Sequence, residues 1–377
     1  RKLCASCHLG QPKSQHILDP VRDRGGGCLA CHVNAYPEPG HPALSARVED
    51  ARCFGCHSRS GRISLSYAGL AEIDPEALTH PDIRHPARLA DGRLLEQRPP
   101  DLHHRAGLAC IDCHTAVGLM GSGAGLDYAS QAVDIQCSDC HDPGPTIGDD
   151  WPQQHRATRQ RIPYPTNPGQ RFLVTARNGT PLWNIRVGDD GNWLYPKLGG
   201  TPLKIPPATP ANHAAEPDHQ RLTCQACHSQ WAPQCYGCHL EYDPQGLQWD
   251  HVAGRGTPGA WHETRSLVRN DAPPLGVAAD GRIGPHVPGM ILSLQHPNYP
   301  SPLFRRLFAP LPPHTSGSSR SCRDCHRNSR ALGLGAGSLD RDEQGEWLFI
   351  PAQASLDDGL PADAWTSLDA SRQGAAT

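Results

Sequence analysis

The longest regular pattern of hydrophobic and polar residues lies between residues 170 and 205. Between residues 170 and 205, apolar runs at 171–177 and 182–187 flank Asn178-Gly179, and Asp190-Gly191 precedes a third run. Asn-Gly and Asp-Gly between apolar runs are strong signals for β-hairpins. The pattern therefore predicts a small antiparallel β element at about 170–205.

Shorter patterned stretches occur elsewhere in the chain. Residues 64–72 suit either a short helix or a strand, Asp280-Gly281 indicates a turn, and residues 342–350 predict a hairpin. Pro and Gly contribute 38 residues each, which favours a loop-rich chain but stays below the level typical of low-complexity disorder.

A C-x-x-C-H motif recurs eight times and uses all 16 cysteines. In such a motif, two cysteine sulfurs bond to a porphyrin edge and the adjacent His becomes the proximal iron ligand of a c-type haem. Numbered one to eight in chain order, the motifs are Cys4-Cys7-His8, Cys28-Cys31-His32, Cys53-Cys56-His57, Cys110-Cys113-His114, Cys137-Cys140-His141, Cys224-Cys227-His228, Cys235-Cys238-His239 and Cys322-Cys325-His326.

Zinc ribbons and disulfide frameworks also use paired cysteines. A zinc site does not need a His after each second cysteine, yet all eight pairs have one, and no cysteine is left over for a disulfide. The motifs therefore predict eight covalent c-type haems (haem C, with iron). Because only six residues separate motifs six and seven, we expect their haems to lie close together.

On these motifs the chain resembles the octahaem c-type cytochromes of the multihaem cytochrome c superfamily, from residue 4 to residue 326. The stretch from His103-His104 through Cys110-x-Asp112-Cys113-His114 is also similar to parts of pentahaem nitrite reductases and octahaem hydroxylamine-oxidoreductase-type proteins. In those families such a His ligates a neighbouring haem from its distal side. The resemblance implies a mostly irregular, loop-rich fold with short helices around stacked haems, in a processed chain exported to the periplasm or to the extracellular cell surface.

The spacing of the motifs predicts four segments. Residues 1–150 form an N-terminal haem-binding region with five haems, and residues 151–222 form a haem-free β insert. Residues 223–326 form a C-terminal haem-binding region with three haems, and residues 327–377 form a haem-free tail.

Composition agrees with a chain that is organised by cofactors. Only 37% of the residues are hydrophobic and 6% aromatic, and the mean hydropathy is -0.54. Burial this low hardly offsets chain entropy, so we expect the porphyrins to supply much of the interior. The net charge of -3, without long runs of one sign, gives no indication of nucleic-acid binding. No apolar run approaches the ~20 residues of a membrane helix, so no transmembrane segment is expected.

Fourteen histidines remain after the eight proximal ones, against two methionines. This supply predicts bis-histidine ligation, which gives lower potentials than His/Met ligation. His103 and His104 compete for one role, and a His before a proline lies in a stiff, extended loop suited to projecting a ligand. The predicted distal ligands are His16, His41, His85, His103, His219, His251, His296 and His314.

Three functions are compatible with these motifs. In an electron conduit, two histidines ligate every iron and leave no position open for a substrate. We favour this function over that of an enzyme. The alternative is an octahaem oxidoreductase acting on nitrite, hydroxylamine or tetrathionate. The C-x-x-C-K motif of nitrite reductases is absent, but a cross-linked tyrosine or a lysine from elsewhere in the chain stays possible. Because motifs occur near both ends, the chain also resembles filament-forming cytochromes, so its partners are expected to be copies of itself or other redox proteins.

Overall fold

The computed structural model describes residues 28–35, 43–58, 63–75, 78, 83, 85–89, 92–120, 129–142, 144–148, 159–208, 219–235, 237–250, 253–265, 268–278, 280–329, 331–332, 337–351 and 365–367. Motif one and most of the C-terminal tail lie outside these ranges. In the described ranges, turns and irregular segments connect short helices and strands.

The helices within the described ranges are no longer than seven residues. They are α1 (Cys28–His32), α2 (Ala51–His57), α3 (Ile63–Tyr67), α4 (Leu102–Arg105), α5 (Cys110–Cys113), α6 (Ala116–Met120), α7 (Ala129–Ala132), α8 (Cys137–His141), α9 (Cys224–His228) and α10 (Cys322–His326).

Most strands are also short, and they belong to several separate sheets. They are β1 (Val33–Ala35), β2 (Ala43–Leu44), β3 (Leu70–Ile73), β4 (Ala87–Arg88), β5 (Leu94–Gln97), β6 (Thr146–Ile147), β7 (Phe172–Leu173), β8 (Ile185–Arg186), β9 (Trp193–Leu194), β10 (Leu203–Lys204), β11 (Gln234–Cys235), β12 (Gly237–Asp250), β13 (Arg255–Arg265), β14 (Val268–Arg269), β15 (Leu275–Val277), β16 (Ile283–Gln295), β17 (Leu303–Pro310), β18 (Gly337–Arg341), β19 (Trp347–Pro351) and β20 (Trp365–Ser367).

The chain forms two compact units, each assembled from segments that are distant in sequence. Unit 1 comprises Arg1–Cys31, Ala51–Leu102 and Arg221–Thr377, and unit 2 comprises His32–Asp50 and His103–Gln220. Motifs four and five lie in unit 2, and motifs three, six, seven and eight lie in unit 1. The four-segment division drawn from motif spacing stays a prediction.

The β element of unit 2 is confirmed at 170–205. β8, β9 and β10 form an antiparallel sheet, and the Asp190-Gly191 turn joins the first two strands, with Gly191 at φ +113°. The Asn178-Gly179 turn is present as well, although β7 pairs with β6 rather than with β8. A small apolar core packs beneath these strands, formed by Leu108, Leu173, Leu182, Ile185 and Leu194.

The largest sheet lies in unit 1, and the sequence pattern did not predict it. Its main path runs β13-β12-β16-β17-β20, with β15 paired to β16. β12 pairs with β13 antiparallel but with β16 in parallel. Pro and Gly interrupt these strands, as at Pro244 and Gly246 of β12, so no clean apolar alternation marks them. The predicted Asp280-Gly281 turn joins β15 to β16.

Two local predictions are resolved in unit 1. Residues 64–72 form both alternatives in succession, since α3 ends at Tyr67 and β3 begins at Leu70. Residues 342–350 lie in the hairpin of β18 and β19, whose turn is closed by Asp342 and has Gly345 at φ +84°. None of the helices in the described part of the chain has the length and apolar character that a membrane crossing requires.

Six of the motifs form a single helical turn that ends at or beside the proximal His. In motifs four, five and eight the second of the two residues between the cysteines is an aspartate, and its carboxylate accepts a hydrogen bond from the backbone N–H of the residue that precedes the helix. In α9 the hydroxyl of Thr223, the residue before the helix, accepts a hydrogen bond from the backbone N–H of Ala226. These caps satisfy N–H groups that have no partner inside such a short helix, so they favour the helical turn.

Motif seven differs from the other described motifs, because Cys235 ends β11 and Cys238-His239 lie in β12. The residue before it is Gln234, and its third position is Gly237. The motif therefore lacks both the capping hydroxyl and the aspartate. Motif three lacks them too and has Gly55 at its third position, yet it is helical in α2, so these residues alone do not explain the strand in motif seven.

We predict that Asp139→Ala lowers the free energy of unfolding by about 2–4 kcal/mol, because two backbone N–H groups lose a charged, buried acceptor. Asp139 is 3% exposed and accepts hydrogen bonds from the N–H groups of Gln136 and Ala176. Denaturant unfolding followed by circular dichroism measures the change, with Ser138→Ala, on the exposed side of the same helix, as the control. Equal midpoints for the two variants would contradict the prediction.

Candidate haem-attachment sites

Three proximal histidines share one arrangement of hydrogen bonds. The Nδ1 atoms of His32, His141 and His228 lie 2.8, 2.8 and 2.9 Å from the backbone carbonyl oxygens of Ser45, Pro206 and Gly317, respectively. The same incoming segment also donates a backbone N–H to the carbonyl of the histidine, from Ser45, Ala208 or Gly317. We call this two-way contact the carbonyl clamp.

The carbonyl clamp fixes the tautomer of each imidazole. A carbonyl oxygen only accepts hydrogen bonds, so Nδ1 must carry the proton and Nε2 must hold the lone pair. Metal-ligating histidines make this same outer contact, which also fixes the orientation of the ring. The three imidazoles therefore fit an iron on the Nε2 side.

The remaining proximal histidines show less of this pattern. His239 has its Nδ1 atom 2.7 Å from the hydroxyl of Ser293 on the paired strand β16. His57 and His326 are exposed, and His114 is half-buried. His8 lies outside the described residues.

His103 faces the proximal His141 in unit 2. The centroids of the two rings are 6.1 Å apart, and the ring planes are inclined by 57°. Two imidazoles bound end-on to opposite sides of one metal ion, with metal–nitrogen bonds of about 2 Å, place their ring centres roughly 6 Å apart. The spacing therefore fits His103 and His141 as the two axial ligands of one iron. It favours His103 over His104 for the role that the sequence left open.

His314 interacts electrostatically with the proximal His57 in unit 1. Burial lowers the pKa of His314, and the neighbouring imidazole of His57 lowers it further. Its Nδ1 atom donates to the carbonyl of Pro312, at 3.0 Å, so Nε2 holds the lone pair. These contacts suit a distal ligand for the haem of motif three.

The backbone of His314 is strained. Within the described residues, His85 and His314 are the two non-glycine residues in the left-handed region, at φ +45° and +54°. Both are predicted distal ligands. Such conformations persist where the surrounding structure imposes them, and they are enriched at functional sites.

The other predicted distal ligands are placed differently. His296 stacks on Tyr242, with centroids 4.7 Å apart, and its Nδ1 atom accepts a hydrogen bond from the N–H of Asn298. Nε2 then carries the proton in the neutral ring, which does not suit iron ligation in this conformation. His219 is exposed. His16, His41 and His251 lie outside the described residues.

The segment 313–320 brings three motifs of unit 1 together. It contains His314, clamps His228 through Gly317, and leads into α10. The N–H of Arg320 donates to the carbonyl of Cys227 at 2.8 Å. Burial raises the pKa of the Cys227 thiol, and the nearby Cys325 raises it as well. Motifs six and eight are thus neighbours, although almost one hundred residues separate them.

Several residues of these sites were missed from the sequence. His286 is 2% exposed and donates through Nδ1 to the carbonyl of Gly284, so it is a further candidate ligand. Lys197 contacts motif four, through its backbone N–H to Asp112 and its Nζ atom to the carbonyl of Ile111. The sequence indicates His286 and Lys197 only weakly, because neither residue belongs to a recognisable motif.

Side chains can also bind a metal ion directly, without a porphyrin. In the ranges that the structure describes, no group of three or more His, Cys, Asp or Glu side chains is arranged to hold a metal ion. Cys140 is a free thiol, and desolvation raises its pKa to about 11.

Comparison with family models, with curated proteins and with solved structures finds no match to this chain. The assignment of the sites therefore depends on the motifs and on the geometry around them.

We predict that His103→Ala converts one haem of the eight to a high-spin form, because the iron opposite His141 loses its second imidazole. The matched variant His104→Ala, one residue further along α4, should leave all haems low-spin. Electron paramagnetic resonance and absorption spectra of the ferric protein measure the difference. A high-spin signal in His104→Ala but not in His103→Ala would assign the role to His104 instead.

Proposed function

We propose that the protein is an electron-transfer conduit that binds eight c-type haems through its eight C-x-x-C-H motifs. The observation that carries this proposal is the carbonyl clamp, which recurs in motifs two, five and six. It orients the Nε2 lone pair of the proximal His, as ligation of an iron requires. A fold without metal has no evident need to repeat this contact at the same position of the motif.

The geometry supports closed rather than open irons. The ring centroids of His103 and His141 are 6.1 Å apart, and His314 interacts electrostatically with His57. When bound, a c-type haem supplies an iron that accepts and releases one electron at a time. The protein would hold the proximal and the distal imidazole in place, keep other molecules from binding the iron, and keep neighbouring motifs close together.

The spacing of motifs within each compact unit also supports conduction. Motifs six and eight are neighbours in unit 1, through the contacts of Cys227 with Arg320 and Cys325. Motifs four and five are neighbours in unit 2, where Lys197 interacts with both Cys113 and Cys140. Neighbouring attachment helices are what a series of short electron-transfer steps requires. No specific observation favours the oxidoreductase alternative.

The wider parts of the proposal depend on the resemblance alone. They are export to the periplasm or cell surface, and a filament of copies that carries electrons over long distances. Of the described strands of the C-terminal tail, β18 and β19 pair with each other and β20 pairs with β17 of its own chain. A tail strapped onto a neighbouring copy would therefore have to use residues other than 365–367.

We expect the purified protein to contain eight haems and to take up eight electrons per chain in a reductive titration. Pyridine haemochrome analysis and intact mass give the haem count. All irons should be low-spin, and the reduced protein should not turn over nitrite, hydroxylamine or tetrathionate. Fewer haems would refute at least one motif, whereas a high-spin iron with turnover would favour the enzyme.

We also expect the full-length chain to form filaments that are visible by electron microscopy, because motifs near both ends allow haems of adjacent copies to approach. A chain truncated after residue 351 tests the tail. Monodisperse monomers of the full-length chain at high concentration would refute polymerisation, and filaments of the truncated chain would remove the tail from the contact.

A further inference from the structure

Lys197 is placed between the two haem-attachment motifs of unit 2. Its backbone N–H donates to a carboxylate oxygen of Asp112 at 2.8 Å, and its Nζ atom donates to the carbonyl of Ile111. Both partners lie between the two cysteines of motif four. The ammonium group is also close enough to interact electrostatically with the thiols of Cys113 and Cys140, the second cysteines of motifs four and five.

The protein atoms around Lys197 strengthen the electrostatic effect of its ammonium group on neighbouring groups. Desolvation lowers its pKa, and the carboxylate of Asp112 partly offsets that change, although the side chain still reaches solvent. Asp112 is 4% exposed and hydrogen-bonded by the N–H groups of Ala109 and Lys197. Charges interact more strongly beside protein atoms than in bulk water, because the local dielectric constant is lower.

We infer that Lys197 is a positive charge shared by motifs four and five, and that it raises the reduction potentials of the two haems attached there. This inference rests on the proposed function. A ferric iron carries one more positive charge than a ferrous iron, so a nearby cation disfavours the oxidised state. Net charge around a redox centre is one of the factors by which a protein sets its potential. Lys197 thereby makes the haem pair of unit 2 a preferred position for electrons within the chain.

The variant Lys197→Gln isolates the charge. Glutamine retains an N–H donor for the carbonyl of Ile111, and the backbone N–H to Asp112 is unchanged. Lys197→Arg retains the charge. Lys204→Gln is the matched control, because Lys204 is an exposed lysine of the same compact unit, on β10, and its neighbouring charge is Asp190.

Spectroelectrochemical titration of the holoprotein tests the inference. We expect two of the eight redox components to shift to lower potential in Lys197→Gln, whereas Lys197→Arg and Lys204→Gln titrate like the parent. One of the shifted components should be the one that His103→Ala perturbs, since His103 faces the proximal His of motif five. The neutral Lys197→Met should reproduce the shift if the glutamine variant incorporates haem poorly.

Three results would overturn the inference. They are unchanged titrations of both neutral variants with eight haems retained, a shift of equal size in Lys204→Gln, and a shift in Lys197→Arg as large as that in Lys197→Gln. A parent protein that contains no haem would instead refute the proposed function. The haem count of each sample, measured by pyridine haemochrome, separates these two failures.

Discussion

The orientation of each clamped proximal imidazole depends on one hydrogen bond, from Nδ1 to a carbonyl oxygen of a segment that is distant in the sequence. The C-x-x-C-H motif itself fixes only the position of the histidine at the end of a helical turn. It leaves the ring free to rotate about its side-chain bonds. The carbonyls of Ser45, Pro206 and Gly317 remove that freedom, and each incoming segment is held in turn by a backbone N–H to the histidine carbonyl. Gly317 is suited to this approach, because a Cβ at that position would collide with the side chain of Gln230.

The strained backbone at His314 has a comparable origin. Its neighbours on both sides are fixed by buried contacts, with the Pro313 carbonyl accepting from the Ser66 hydroxyl and the Ser316 N–H donating to Asp101. Thr315 is 1% exposed and hydrogen-bonded to the Trp231 backbone. A left-handed residue costs of order 1–3 kcal/mol, which several buried hydrogen bonds of about 1 kcal/mol each offset.

Local features were predictable from the sequence, and contacts between distant segments were not. The hairpin turns at Asp190-Gly191 and Asp280-Gly281 were found because glycine is required by the backbone at those positions. The sheet of β12, β13 and β16 was missed, because prolines and glycines break its alternation and one of its pairings is parallel. The carbonyl clamp had no signal at all, since any residue supplies a carbonyl. His103 was predicted as a ligand, but only the structure indicates His141 as its partner.

The sequence separations within the carbonyl clamp also define an order of events in a chain that emerges from its amino terminus. The carbonyl for His32 follows after 13 residues, whereas those for His141 and His228 follow after 65 and 89. Cysteine pairs of motifs five and six are therefore exposed for some time before the contact that orients their histidines can form. If these motifs bind haem as proposed, covalent attachment at motifs five and six can precede the orientation of the proximal His. At motif two the orienting carbonyl lies only 13 residues further along the chain, so the sites differ in this respect although their five-residue motifs are alike.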